Sequence, residues 1–466
     1  MKDIGILGLG VMGRNLALNI AHRGFGVSVY NYTPNETEEF VAKHMQGEDI
    51  SAFYDVESFV RSLKSPRKIF LMIMAGKPVD NMIEVLIPLL DRGDLIIDGG
   101  NTYYFDTDRR MRYLEDKGLL YLGVGVSGGE SGALNGPSLM PGGSREAYAL
   151  VEDILTAMSA RTEAGPCCTY VGNGSAGHFV KMLHNGIEYG MMQSMSEVYD
   201  IMRNVLKLSA DEIGDVFEKW NEGDLNSYLM EISYRIMRKK DDETGKPLVD
   251  LILDKAGQKG TGKWTAEASL DLGVPAPSLY VAVYGRVMSF FKDERQRLSE
   301  LVKKEPSDSV ISRDALISDL ENSLLFSNFV MYSQGIWLMN EASRVYGFEI
   351  DTAEVLKIWK GGCIIRARML DLLIDIVRED RDNFNLLGSE KALSFLRDRL
   401  PSMRRVTMAA RDHYVPTLVH NTALDYIFSM IEADLPANLT QAQRDFFGAH
   451  TYSRIDKEGI FHTKWE

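Results

Sequence analysis

An α/β domain over residues 1–176, a large all-α domain over 177–434 and a C-terminal tail over 435–466 form the architecture this sequence predicts. Three observations carry it. The chain opens on an ordered strand, glycine turn, helix and strand. From about Ala176 to Leu435 the apolar residues recur at helical spacing, with few strand-like runs. Leu435-Pro436 then marks a break, and the remaining tail is too short for a core of its own. At 466 residues the chain exceeds one typical core, and its 45% hydrophobic and 25% charged residues are an ordinary globular balance.

The first strand is the apolar run around Ile4, Ile6 and Leu7. Gly8-Leu9-Gly10-Val11-Met12-Gly13 follows as G-x-G-x-x-G, then Leu16, Ala17 and Ile20 at helical spacing, a stop at Gly24, and a second strand from Val27 to Asn31. The three glycines serve different ends, namely a tight turn, room for backbone beside a pyrophosphate, and close packing of helix on strand. The N–H groups at the helix start suit phosphates. In this order the pattern predicts a Rossmann-type dinucleotide-binding domain. Lys68 to Met74 and Leu95 to Gly100 read as further parallel strands, whose carboxyl ends are where ligands sit. Asn101 is either a residue facing nicotinamide or substrate, or a plain turn residue. In "YLGVGVSGGESGALNGPSLMPGG" glycine is dense after another strand. Ser127, Gly128 and Gly129 can offer N–H groups to a carboxylate or phosphate there; the plain alternative is a flexible loop.

A long helix is predicted from near Ala176. Lys181, His184, Asn185 and Glu188 lie at i, i+3, i+4 and i+7 and share one face, with Tyr189 beside them. A solvated face is the bland reading. Against it stand Gly186 and Gly190 inside the helix, each costing up to about 1 kcal/mol relative to alanine. They predict close approach by another backbone or a ligand. Downstream, "DKAGQKGTGKWT" sets Lys259, Thr261 and Lys263 among glycines. The spacing is not that of a Walker A loop, yet lysine and hydroxyl can still hold a phosphate. Arg286 follows in "VYGRVM"; a surface turn and a surface arginine are the plain readings. Lys303 to Ser309 reads as a loop. A second long, Met-rich and aromatic helix spans about Leu324 to Gly347, and its methionines read as core. In the tail, Arg444 and His450 flank Phe446-Phe447-Gly448. Those aromatics predict docking on another surface, such as a neighbouring subunit.

A formal charge of −14 argues against broad nucleic-acid or anionic-membrane binding. Cys167, Cys168 and Cys363 form no CxxC pair, so neither a disulfide framework nor a zinc site is expected, and no other metal-ligand cluster is read. The first residues lack a signal-peptide h-region, and no apolar run reaches membrane-spanning length. A cytoplasmic protein is the expectation.

Together these blocks resemble the decarboxylating 6-phosphogluconate dehydrogenases of the pentose phosphate pathway. "GLGVMG", "IIDGGN", "GVSGGESGA", "GPSLMPGG", "GHFVKMLHNGIEYG", "KGTGKWT", "GGCIIR" and "QAQRDFFGAHTY" occur in family order over nearly the full length. The resemblance implies oxidation and decarboxylation of 6-phosphogluconate to ribulose 5-phosphate, with reduction of NADP or NAD and no metal. It also implies a homodimer whose tails reach across to the partner subunit. On the matching positions, Lys181 is the general base and Glu188 the general acid. Asn101, Ser127, Gly128, Gly129, His184, Asn185, Tyr189, Lys259, Thr261, Arg286, Arg444 and His450 hold the substrate, with Tyr189, Lys259, Thr261, Arg286 and Arg444 around its phosphate. Gly8 to Gly13, Asn31, Tyr32, Thr33, Ile73, Met74, Ala75 and Asn101 face the coenzyme.

The coenzyme loop departs from the family pattern. NADP-binding members usually show Asn-Arg-Ser/Thr where this chain has Asn31-Tyr32-Thr33, and a lysine where it has Met74. A tyrosine can stack on adenine but cannot neutralise a phosphate. No acid ends the second strand, as a strict NAD site would prefer. The expectation is an NADP-type site with weakened phosphate recognition and NAD as a close alternative. Two other readings stay open at this point: a dehydrogenase of another 3-hydroxy acid, and a catalytically silent dinucleotide-binding scaffold or sensor.

Overall fold

Short apolar runs between glycine turns become seven strands: β1 (Ile4–Leu7), β2 (Val27–Tyr30), β3 (Ile50–Phe53), β4 (Lys68–Leu71), β5 (Leu95–Asp98), β6 (Leu120–Ser127) and β7 (Ser138–Gly143). They come from a computed structural model that describes residues 1–45, 47–307, 312–379 and 385–466. The sheet order is β3-β2-β1-β4-β5-β6-β7, parallel except for β7 against β6. Alternate residues go to opposite faces: Leu95 and Ile97 of β5 join one apolar cluster and Ile96 the other. Helices cover both faces, so β1, β2 and β5 are buried along their whole length. Chain order reverses between β1 and β4, and the pairing of Leu7 with Leu71 brings their carboxyl ends level. That reversal opens the crevice in which such folds bind ligands.

The stretch read as a glycine-dense segment that could be a flexible loop is ordered structure: β6, a short helix Gly129–Asn135 and β7. Its glycines are there largely for packing. A Cβ on Gly125 would lie 2.4 Å from Lys181 Cβ, and one on Gly123 would lie 2.8 Å from His178 Nδ1. The long helix Ala176–Asn204, called the site helix below, lies directly on these two strands.

From the site helix onward the described residues are almost entirely helical, around one large apolar core. The second long helix, Arg313–Tyr346, packs along the site helix. The helix Leu418–Ile431 leads to the last helix, Ala437–Gly448. Lys303–Ser307 is irregular as expected; positions 308 and 309 of the expected loop lie outside the described residues. Among the described residues no helix is long and apolar enough to cross a membrane.

Candidate active site

The coenzyme cleft begins at the glycine turn. Gly8 takes φ +105°, and a Cβ there would meet Met72 O at 2.5 Å. At Gly13 a Cβ would fall 1.9 Å from Gly8 O, so the first helix touches the turn after the first strand through this glycine. Gly10 differs: a Cβ would meet nothing within 4 Å. It faces a cleft of about 690 Å³ lined by Gly10 to Gly13, Met72 to Gly76, Gly99 to Asn101, Tyr103, Asp106, Val126, Lys259 and Trp264. The first helix, Val11–His22, has no side-chain cap and no acid in its first turn. Its opening N–H groups therefore remain available to an anion. Open space at Gly10 beside an uncapped helix start fits a dinucleotide pyrophosphate.

Asn31 holds this turn from below. Its Oδ1 accepts from Leu9 N–H at 2.9 Å, and its Nδ2 donates to Thr33 Oγ1 at 2.7 Å. Its side chain is thereby engaged in shaping the loop. Tyr32 and Met74 stand 81% and 76% exposed, presenting an aromatic ring and a thioether but no charge. Ile73, Met74, Ala75 and Asn101 all line the cleft. So do Tyr103 and Trp264, whose rings lie 5.1 Å apart and which the sequence reading did not single out.

Beneath the cleft lies a buried polar network that the sequence also did not reveal. Asp98 ends β5, and its carboxylate accepts from Tyr121 O–H at 2.8 Å, Thr102 O–H at 2.7 Å and Gly100 N–H at 3.0 Å. Arg110, itself buried, bridges Asp80 and the Gly76 carbonyl. His178 hydrogen bonds the Asp98 carbonyl with one ring nitrogen and Thr107 with the other. The two cleft loops and the start of the site helix are thus tied together.

On the site helix the predicted face is real. Lys181 is 6% exposed and donates to Asn185 Oδ1 at 2.9 Å. His184 is fully buried, 3.3 Å from Ser127 Oγ, and its Nδ1 lies 3.8 Å from Glu188. Asn185 donates to Thr261 Oγ1 at 3.1 Å. Arg286 stacks on Tyr189 with its guanidinium 3.8 Å from the ring centre and donates to the Gly257 carbonyl. Gly128, next to Ser127, takes φ +124°, where a Cβ would lie 2.6 Å from the Gly362 carbonyl oxygen of the "GGC" loop, and Gly129 follows at φ +61°. Lys259 is exposed at the cleft margin.

Burial shifts the titration of the groups on this face. It lowers Lys181 from the ordinary lysine value, with Glu188 opposing. Glu188 is raised, again by burial, with Lys181 and Arg286 opposing. His184 is held well below its usual value by burial and by Lys181. A lysine eased toward neutrality and a glutamate eased toward its acid form, on one helix face, are suited to taking and returning a proton. Cys363 lies near Lys181 as well, but burial pushes its thiol up to about 12, so it is inert.

One expectation changes. Gly186 and Gly190 receive side chains, not a backbone or ligand: their Cβ positions lie 2.5 Å from Thr265 Cγ2 and 2.3 Å from Met331 Sδ. Arg444 and His450 lie on the C-terminal tail, which the resemblance sends to a partner subunit and not to the site residues of its own chain. Among the described residues, the hydrogen bonds of the tail stay within the tail.

The family described as "NAD binding domain of 6-phosphogluconate dehydrogenase" matches residues 3–172, and "6-phosphogluconate dehydrogenase, C-terminal domain" matches 177–465. A Bacillus subtilis protein named as NADP(+)-dependent, decarboxylating 6-phosphogluconate dehydrogenase is 50% identical, covering 100% of this chain and 99% of its own. Another from the same organism, named as NAD(+)-dependent, is 45% identical over the same shares. The solved Plasmodium falciparum 6-phosphogluconate dehydrogenase, described in apo form and with NADP+ or 6-phosphogluconate, superposes with a TM-score of 0.96 at 42% identity. It covers 99% of this chain and 100% of its own. Glycine turn, buried site-helix face and full-length similarity agree: the chain belongs to the 6-phosphogluconate dehydrogenase family.

Proposed function

We propose that this chain oxidises and decarboxylates 6-phosphogluconate to ribulose 5-phosphate and carbon dioxide, reducing NADP, with NAD as a close alternative. The observation that carries this is the pair Lys181 and Glu188, shifted in opposite directions by burial on one helix face. A bound nicotinamide would supply the hydride acceptor for carbon 3. Lys181, in its neutral form, takes the proton of the carbon 3 hydroxyl. Its ammonium then faces the new ketone oxygen, and as the bond from carbon 1 to carbon 2 breaks it stabilises the enolate charge there. Carbon 2, which carried the carboxylate, becomes carbon 1 of the product, and Glu188 supplies its proton. Ser127, Gly128, Gly129, His184 and Asn185 orient the sugar acid. Tyr189, Lys259, Thr261 and Arg286 provide the cation and hydroxyl set for its phosphate.

The fold supports three further readings. Residues 1–176 form the dinucleotide domain, 177–434 the substrate and dimerisation domain, and 435–466 an arm that inserts into a partner subunit. The arm reading rests on exposure: Phe446, Phe447, Leu439 and Leu435 are 50–73% exposed, and they need a surface. Three free, buried cysteines support a cytoplasmic setting.

The test is turnover with 6-phosphogluconate beside unphosphorylated gluconate. One carbon dioxide per reduced coenzyme, with gluconate a poor substrate, supports the reading. Coenzyme reduction without carbon dioxide release points to another 3-hydroxy acid, and no reduction points to a silent scaffold.

A further inference from the structure

The last 30 residues pose a packing problem. In the helix Ala437–Gly448 the one buried residue is an aspartate, Asp445, with its side chain fully out of solvent. A lone buried carboxylate in an exposed segment requires partners. Asp445 has four. Its Oδ1 accepts from Thr451 N–H and from His462 Nδ1, both at 2.9 Å. Its Oδ2 accepts from Thr463 N–H at 3.0 Å and from the Trp465 indole N–H at 2.9 Å. Burial alone would raise its pKa; the His462, Thr463, Trp465 and Thr451 donors outweigh that and hold it down to about 2.

The same contacts fix the turn that carries His450. Ala449 and Thr451 on either side of it take φ +51° and +60°, left-handed backbone that is unusual for alanine and more so for a β-branched residue. Such geometry persists where surroundings over-determine it. Here the Asp445 carbonyl accepts from Ala449 N–H, its carboxylate accepts from Thr451 N–H, and Gln441 donates to the Thr451 carbonyl. Gln441 also accepts from Arg444 at 3.0 Å. On the far side, Tyr452 and Phe461 pair through two backbone hydrogen bonds and bring the last residues back to the helix.

We propose that Asp445 is a positioning residue that folds the arm into a preformed clasp, so that Arg444 and His450 arrive at the partner's substrate site already oriented. This rests on the arm reading above and deepens it. Preorganisation spares the ordering entropy a loose tail would lose on insertion. Asp445 itself contacts neither substrate nor coenzyme; it acts through the two residues it holds.

The test compares Asp445→Asn with a chain ending after Asp434 and with an Arg444→Met, His450→Ala double variant, all full dimers checked by light scattering. In Asp445→Asn the amide turns a donor toward donors, so the knot opens while size and shape are kept. The expected result is a rise of at least about tenfold in KM for 6-phosphogluconate, a coenzyme KM within about twofold, and faster tryptic cleavage at Arg454 and Lys457. Added to the double variant, Asp445→Asn should cost little more, because the residues it positions are gone. The proposal is overturned if truncation raises the substrate KM while Asp445→Asn leaves it unchanged, or if the effects of Asp445→Asn and the double variant simply multiply. If truncation leaves substrate kinetics intact, the arm reading itself is what fails.

Discussion

The site helix and the C-terminal helix carry predicted substrate contacts in opposite ways. The site helix is buried over most of its 29 residues, and its reactive groups are held from every side: Gly125 beneath Lys181, Thr261 against Asn185, Arg286 over Tyr189. The C-terminal helix buries a single residue, and its geometry depends on one carboxylate. Where a site must shift pKa values, the fold surrounds it with bulk, since desolvation needs a whole wall of neighbours. Where a site must only deliver a cation and an imidazole to another surface, a small knot suffices.

Substitutions in the two regions should break this contrast in graded fashion. The largest effect is expected for Lys181→Met, which removes the proposed base and leaves the packing of its stem: kcat should fall about 1,000-fold while thermal stability holds. Unimpaired turnover would take the base away from Lys181. Next is Glu188→Gln, with a loss of about 100-fold or more in kcat and a changed pH profile. The neutral fraction of Lys181 grows with pH and the protonated fraction of Glu188 shrinks with it, so kcat/KM against pH should be bell-shaped in the unaltered chain. Lys181 is lowered and Glu188 raised, so both limbs should fall between the ordinary carboxylate and lysine values, and they belong to the pair. Glu188→Gln should leave one limb; two surviving limbs would point to a different acid.

A third substitution probes the wall itself. A Cβ at Gly177 would lie 2.3 Å from Gly123 O and 2.5 Å from Met140 O, both backbone atoms of the sheet. Gly177→Ala should destabilise the chain by about 1–3 kcal/mol, read from its urea midpoint, because the site helix must lift off β6 and β7. An unchanged midpoint would mean the contact is slack. The smallest effect is expected at the coenzyme loop. Tyr32→Arg adds a charge to the loop proposed to read the ribose without touching the body, and should shift the kcat/KM ratio toward NADP about tenfold. No shift would mean that this loop does not read the ribose. A strong NADP preference in the unaltered chain would defeat the relaxed-site reading.

Much of the body was legible in the sequence, and the reason is periodicity. Gly8, Gly10 and Gly13 stand between an apolar strand and an amphipathic helix, and Lys181, His184, Asn185 and Glu188 share a helical face wherever the helix packs. Residue spacing says nothing about what lies across a face. Asp98, Arg110 and His178 form their network through three different elements, and Arg110 looks in sequence like Arg109 and Arg112 beside it. Gly186 and Gly190 announced a close neighbour without saying that it would be Thr265 or Met331. Asp445 was hidden for the same reason: its donors at 451 and 462–465 are a turn and a hairpin away, and nothing in "QAQRDFFGAHTY" distinguishes a buried carboxylate from a solvated one.

The central claim is a division of labour, with chemistry in the body of one subunit and grip supplied by the arm of another. Co-expression of Lys181→Met and Arg444→Met chains tests it most directly, because each is defective in a different half. If arms act in trans, half of randomly paired dimers are hybrids with one complete site, and activity at low 6-phosphogluconate should recover to about a quarter of the unaltered enzyme. Activity no higher than the sum of the two separate variants would contradict the account.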